Sequence, residues 1–178
     1  MIRASITLLL SFFAAFMFTT FTATAADLKL EEFFKGKTYA YGKFAAINGK
    51  KREFRVDLNG KWNGKTLTLP EDFFYTDGER DTKTWRFTET GKNTYSGTRE
   101  DVKGATTVKV RGNKATFSYV VDLDNGPKEN LVRFNDTLIL TKDGTLKNTA
   151  RVSKFGIGVA RVVVNFAQTK EKALAIKP

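Results

Sequence analysis

From Phe54 to Trp62 the chain alternates: Phe54, Val56, Leu58, Gly60 and Trp62 fall on one face, and Arg55, Asp57, Asn59 and Lys61 on the other. A period of two is that of a strand with one buried face. Asn63-Gly64 follows, and the alternation resumes from Leu67 to Tyr75, so the segment reads as a β-hairpin. Asn-Gly suits a type I′ turn, in which both central residues take positive φ. The same unit recurs along the chain. Asn48-Gly49, Asp77-Gly78, Gly91-Lys92-Asn93, Lys103-Gly104, Gly112-Asn113, Asp124-Asn125-Gly126 and Asp143-Gly144 all read as tight turns. Between them the pattern predicts ten strands, over 38–47, 52–62, 66–75, 82–90, 94–101, 105–110, 115–123, 130–140, 145–152 and 159–167.

Long consecutive strands joined by such short turns pair with their chain neighbours, and closing the sheet on itself removes its exposed edges. The expected fold is therefore all-β: an antiparallel up-and-down meander of about eight to ten strands closing into a lipocalin-like barrel, with a short N-terminal helix. A two-sheet sandwich with Greek-key crossings is the competitor, and it needs longer connections than this chain provides. Among the early segments only Asp27 to Lys37 has helical spacing, with Leu28, Leu30, Phe33 and Phe34 as an apolar face ended by Gly36. It is expected to cap one end of the barrel. Residues 153–158 read as a wider corner, and residues 170–178, which carry alternating Lys and apolar residues up to Pro178, as a frayed, flexible C-terminal tail.

Residues 1–25 stand apart from this pattern. Arg3, an apolar run over 6–21 and Ala23-Thr24-Ala25 together read as a cleavable signal peptide, leaving a single barrel domain over 26–169. The chain is thus expected outside the cytoplasm. It has no Cys, so no disulfide braces the fold and no lipobox Cys is present for anchoring. The net charge of +11 favours anionic partners; export turns that expectation away from nucleic acid and towards an anionic membrane surface, an acidic polysaccharide or a carboxylate ligand, with a solvated Lys-rich exterior as the alternative.

The absence of His and Cys removes the commonest metal ligands and the commonest general base. No Ser-His-Asp or Cys-His arrangement can be built. Gly156-x-Gly158 lacks the rest of a dinucleotide fingerprint, and no phosphate loop is present. No cofactor or metal is expected, and catalysis is confined to carboxylates, Lys or Tyr. Three charged residues fall in phase with apolar faces: Glu71 with Leu67, Leu69 and Phe73; Asp136 with Val132, Phe134, Leu138 and Leu140; and Arg161 between Val159 and Val163. An inward carboxylate is costly unless paired, so these residues read either as a head-group site or as a satisfied ion pair. Trp62, Phe73, Trp85, Tyr119 and Phe134, with Phe117, are the candidate aromatic lining. The mixed cluster Gly97-Thr98-Arg99-Glu100-Asp101 reads as a solvated rim.

Taken together, several motifs resemble an uncharacterised domain-of-unknown-function family of Gram-negative envelope proteins. They are Glu32-Phe33-Phe34-x-Gly36, Gly60-x-Trp62-x-Gly64, Leu67-x-Leu69-x-Glu71-Asp72-Phe73-x-Tyr75-x-Asp77-Gly78-Glu79, Trp85, Gly97-Thr98-x-x-Asp101-Val102-x-Gly104, and Asn148 with Lys154-Phe155-Gly156. The likeness spans nearly all of residues 26–178. It implies a periplasmic location and a lipid-related role. Many members are labelled lipoproteins; the missing Cys and the stretch Asn135-Asp136-Thr137-Leu138 are departures from their pattern. Gly60-x-Trp62 gives a looser likeness to lipocalin and fatty-acid-binding barrels. The expected function is a monomeric periplasmic carrier of a small apolar or acyl ligand, lined by Trp62, Glu71, Phe73, Trp85, Tyr119, Phe134, Asp136 and Arg161. The alternatives are a filled barrel that binds anionic lipid or glycan through its basic surface, and a carboxylate-dependent isomerase or hydrolase.

Overall fold

The structure, a computed structural model, describes residues 26–123 and 128–178. The leader over 1–25 and the Asp124-Asn125-Gly126 turn lie outside the described residues. The chain runs α1 (Leu30–Phe33), β1 (Gly36–Ala46), β2 (Lys51–Trp62), β3 (Thr66–Tyr75), β4 (Arg80–Gly91), β5 (Thr94–Thr98), β6 (Thr106–Arg111), β7 (Lys114–Asp122), β8 (Leu131–Leu140), β9 (Leu146–Lys154), β10 (Ile157–Ala167) and α2 (Lys170–Ala175). Every strand pairs antiparallel with its chain neighbours, and β1 closes the barrel on β10 with Tyr39 opposite Ala167 and Ala46 opposite Ala160. The all-β closed meander read from the alternation is the fold.

The type I′ turn expected at Asn63-Gly64 does not form, because only Gly64, at 93°, has positive φ. At Asn48-Gly49, Asp77-Gly78 and Asp143-Gly144 only the glycine has positive φ, at 85°, 90° and 77°. In each, the residue three before the glycine accepts from the glycine N–H and donates to the carbonyl just beyond it, as in Ala46 with Gly49 and Lys50 at 3.0 and 2.8 Å. This is a type I turn followed by a left-handed glycine. The Asn or Asp contributes its side chain instead: Asn48 Oδ1 accepts from Lys50 N (3.1 Å) and Asp77 Oδ1 from Glu79 N (3.1 Å). The corner expected to be wide, residues 153–158, is among the tightest. Lys154 pairs directly with Ile157, and Phe155 and Gly156 both take positive φ, 50° and 80°.

The barrel has one closed and one open end. Leu28, Leu30, Phe33 and Phe34 are all buried, and α1 with its flanks plugs the end formed by the start of β1 and the close of β2. The plug is pinned on several sides. Leu28 N donates to Gly112 O (2.9 Å), Gln168 Nε2 to Phe33 O (2.9 Å), and the Tyr95 hydroxyl to Glu31 Oε2 (2.6 Å). Gly60 is required here, because a Cβ on it would lie 1.9 Å from the Phe34 carbonyl oxygen. At the other end no element among the described residues covers the lumen. Inward-phased Phe44, Phe73, Tyr75, Phe134, Ala160 and Val162 are only half-buried there, although Phe54, Val121, Val132 and Val152 are buried; Leu67 and Leu146 beside the plug are fully buried.

Residues 170–178 are not the frayed tail that their Lys alternation suggested. Thr169 caps α2 by accepting from Lys172 N (3.2 Å), Ala173 is fully buried, and Asn165 donates to Ile176 O (2.5 Å). The helix lies outside β1 and β10 and covers Ala167. Small residues on both surfaces let helix and sheet approach closely.

Candidate functional site

Within the lumen, side chains of β3, β4 and β7 converge on Arg99, which follows β5, and β8 and β9 pack behind them. Its phase continues that of Tyr95 and Gly97, so it enters the barrel. The guanidinium forks onto Asp101, with Nε to Oδ1 at 2.7 Å and Nη2 to Oδ2 at 3.1 Å. It stacks 4.8 Å from the centre of the Trp85 ring and 5.7 Å from that of Tyr119, and Nη1 stands 3.7 Å from Glu71 Oε2. Lys83 adds a second positive charge, 3.1 Å from both Asp81 and Asp101. Tyr119 in turn stacks on Phe134 with centroids 5.4 Å apart and meets Trp85 edge-on at 5.1 Å.

Two carboxyls here are displaced upward. Burial pushes Glu71 to about 7 against the opposing charge of Arg99, since 3.7 Å is an ionic contact and not a hydrogen bond. Burial pushes Asp136 to about 6, with Asn148 and Tyr119 acting against the rise; Asn148 Nδ2 donates to Asp136 Oδ1 at 2.6 Å. Burial would also raise Asp101, but Arg99 and Lys83 outweigh it and hold that carboxyl below its usual range. Within this cluster, three buried oxygens make no hydrogen bond: Glu71 Oε2, Asp136 Oδ2 and Asn148 Oδ1. Unmatched buried acceptors are uncommon and call for an explanation.

The structure thus brings Glu71, Trp85, Tyr119, Phe134 and Asp136 into one lumen around Arg99. Phe73 lies nearer the mouth in a second aromatic group with Phe54 and Tyr75, at 5.8 and 6.1 Å. Trp62 sits at the plugged end of β2, opposite Leu67. Arg161 is not an inward cation. It is exposed on the outer wall, because the inward phase of β10 falls on Ala160, Val162, Val164 and Phe166. The cluster around Arg99, expected to be a solvated rim, supplies the interior charge instead. Its signal was the unbroken alternation Tyr95, Gly97, Arg99; for Asn148 it was the phase of Leu146, Ala150 and Val152. A depression of about 340 Å³ is lined by consecutive residues of paired β7 and β8, from Thr116 to Ser118 and from Asn135 to Thr137, so it follows the wall and not the lumen.

Residues 7–168 match a protein family described as a protein of unknown function, DUF3833. The chain belongs to this family. No curated protein matches it. Among solved structures, the DUF3833 barrel is similar to the crystal structure of Rv2717c from M. tuberculosis, with 13% identity and a TM-score of 0.56 over 78% of this chain and 94% of that one. At that identity the likeness concerns the fold alone.

Proposed function

We propose that this DUF3833 barrel is a periplasmic, non-catalytic binding protein for a small apolar or acyl-chain molecule, held with its chain against the half-buried rings near the mouth and its head at the Arg99 cluster. The observation that carries this reading is the set of three buried acceptors without a hydrogen bond, beside inward aromatic rings in a barrel that no described element covers at one end. That chemistry favours a head group that donates hydrogen bonds, such as a hydroxyl or an amine. A carboxylate head is disfavoured: it would add a negative charge beside Glu71, Asp101 and Asp136, and the fork of Arg99 is already held by Asp101.

The test is to extract natively purified protein with organic solvent, identify what co-purifies by mass spectrometry, and titrate the stripped protein with a long-chain alcohol, the matching amine and the matching fatty acid. Trp85, buried among these rings, reports binding through its emission. The alcohol or amine is expected to bind more tightly than the acid, and Tyr119→Ala or Phe134→Ala to weaken binding about tenfold, the loss of one buried ring contact. Empty extracts together with no change in emission on any titration would overturn the reading.

A further inference from the structure

The tip of the β9–β10 hairpin is the two-residue turn Phe155-Gly156, which requires positive φ at both positions. Phe155 takes φ 50°, in the left-handed region that disfavours side chains with a Cβ, and it is 93% exposed. Asn, Asp or Gly usually fills that first turn position, so a large, exposed aromatic ring there is unusual. Ile157, two residues on, is 67% exposed, and Ile47 on the neighbouring β1–β2 turn is 77% exposed. The two tips are joined, since Ile47 N donates to Val159 O at 2.9 Å. All three side chains therefore project from one sector of the open rim.

Just below them the outer wall is basic. Lys51, Ala45, Arg161 and Arg151 lie side by side in one row of the register across β2, β1, β10 and β9, with Lys50 next to the row. Arg161 and Arg151 are direct cross-strand partners, an arrangement of like charges that weakens a sheet. All four cations are exposed, and none takes part in the ion pairs found among the described residues. The adjoining sector at the β3–β4 turn differs, because Arg52 there is matched by Asp77 and Glu79.

We infer that this sector of the rim docks onto an anionic lipid bilayer, with Phe155, Ile157 and Ile47 entering the interface and Arg151, Arg161, Lys50 and Lys51 facing the head groups. Isolated apolar side chains on loop tips above a cationic band fit a penetrable, negatively charged surface. A second copy of this chain fits poorly, since a symmetric contact would set the unmatched cations against one another. Docking in this way turns the mouth of the barrel towards the membrane. That orientation matters for ligand exchange only if the proposed ligand binding is correct; the docking itself stands on the rim alone.

The chain has no Cys, so Phe155→Cys can be labelled at a single position with an environment-sensitive NBD probe. Lys142→Cys, on the turn at the plugged end, serves as the control. With vesicles of phosphatidylcholine containing about 30% phosphatidylglycerol, emission is expected to rise several-fold at position 155 and not at 142. The rise should disappear in high salt and with pure phosphatidylcholine. Phe155→Gly, which relieves the backbone, should keep the thermal stability of the wild type, and it and the double variant Arg151→Gln/Arg161→Gln should each bind these vesicles about tenfold more weakly. An equal response at 142, an equal response to neutral vesicles, or no response at 155 would overturn the inference. Titration with the long-chain alcohol in the absence of vesicles reads the pocket separately, so failure of docking and failure of ligand binding are distinguishable.

Discussion

Replacing Glu71 by Gln keeps the shape of a buried side chain and removes its ionisation. In the folded protein this carboxyl titrates at about 7, raised chiefly by burial from an ordinary value of 4.5. Between those two values the folded state holds a proton that the unfolded chain has released. A group raised in this way favours the fold most below its unfolded pKa, and that contribution is lost as the pH rises through about 7. The full displacement corresponds to about 3 kcal/mol, of which about 2 kcal/mol falls between about pH 5.5 and about pH 8. The carboxyls held low, such as Asp101, Asp77 and Asp143 at about 2, act in the opposite sense but below this window. Asp136, raised to about 6, acts in the same sense and is present in both proteins, so it cancels in the comparison. Arg99 keeps its fork onto Asp101 in the variant. Urea unfolding at both pH values is therefore expected to show the wild type losing about 2 kcal/mol more than Glu71→Gln as the pH rises. Parallel profiles, or a wild type that gains on the variant, would mean that Glu71 is solvated and that the interior cluster is not a desolvated site.

Gly60→Ala drives a Cβ into the Phe34 carbonyl, and backbone cannot rotate away; it is expected to cost about 3 kcal/mol in urea unfolding and to unseat the plug, whereas stability within about 0.5 kcal/mol of wild type would show that α1 packs elsewhere. Arg99→Met removes the cation beside Glu71 and the fork onto Asp101, which keeps only Lys83, and should cost about 3 kcal/mol. Arg161→Met, on the outer wall, should change stability by less than about 0.5 kcal/mol, and the reverse order of these two effects would exchange their assigned positions.

The barrel was legible in the alternation because a strand with one dry face leaves its period in the sequence, and because a closed meander places chain neighbours side by side. The parity that put Glu71 and Asp136 inside holds in the structure, since both strands run without a bulge through those residues. Parity misplaced Arg161 because β10 is apolar on both faces, Val163 outward as well as Val162 inward, and such a strand carries no phase of its own. Only its pairing with β1 and β9, where the register shifts between Gly158 and Ala160, decides which side faces the lumen. Arg99 was hidden for the opposite reason: a run of charges at a strand end looks solvated, although its phase pointed inward. The turn glycines could be placed from sequence, but not the turn type, because Asn and Asp serve equally well by adopting positive φ or by accepting a backbone N–H.

What the sequence determined by itself was local: which residues alternate, where the chain must turn, and which short segment is apolar at helical spacing. Tertiary structure decided whatever depends on closure. It joined β1 to β10, set the plug at one end and left the other open, and brought Arg99, Trp85, Tyr119 and Asp136 from distant strands into one lumen. The physical reason is that burial, which sets the pKa of Glu71 and turns Arg99 into interior charge, belongs to the closed wall and to no single strand.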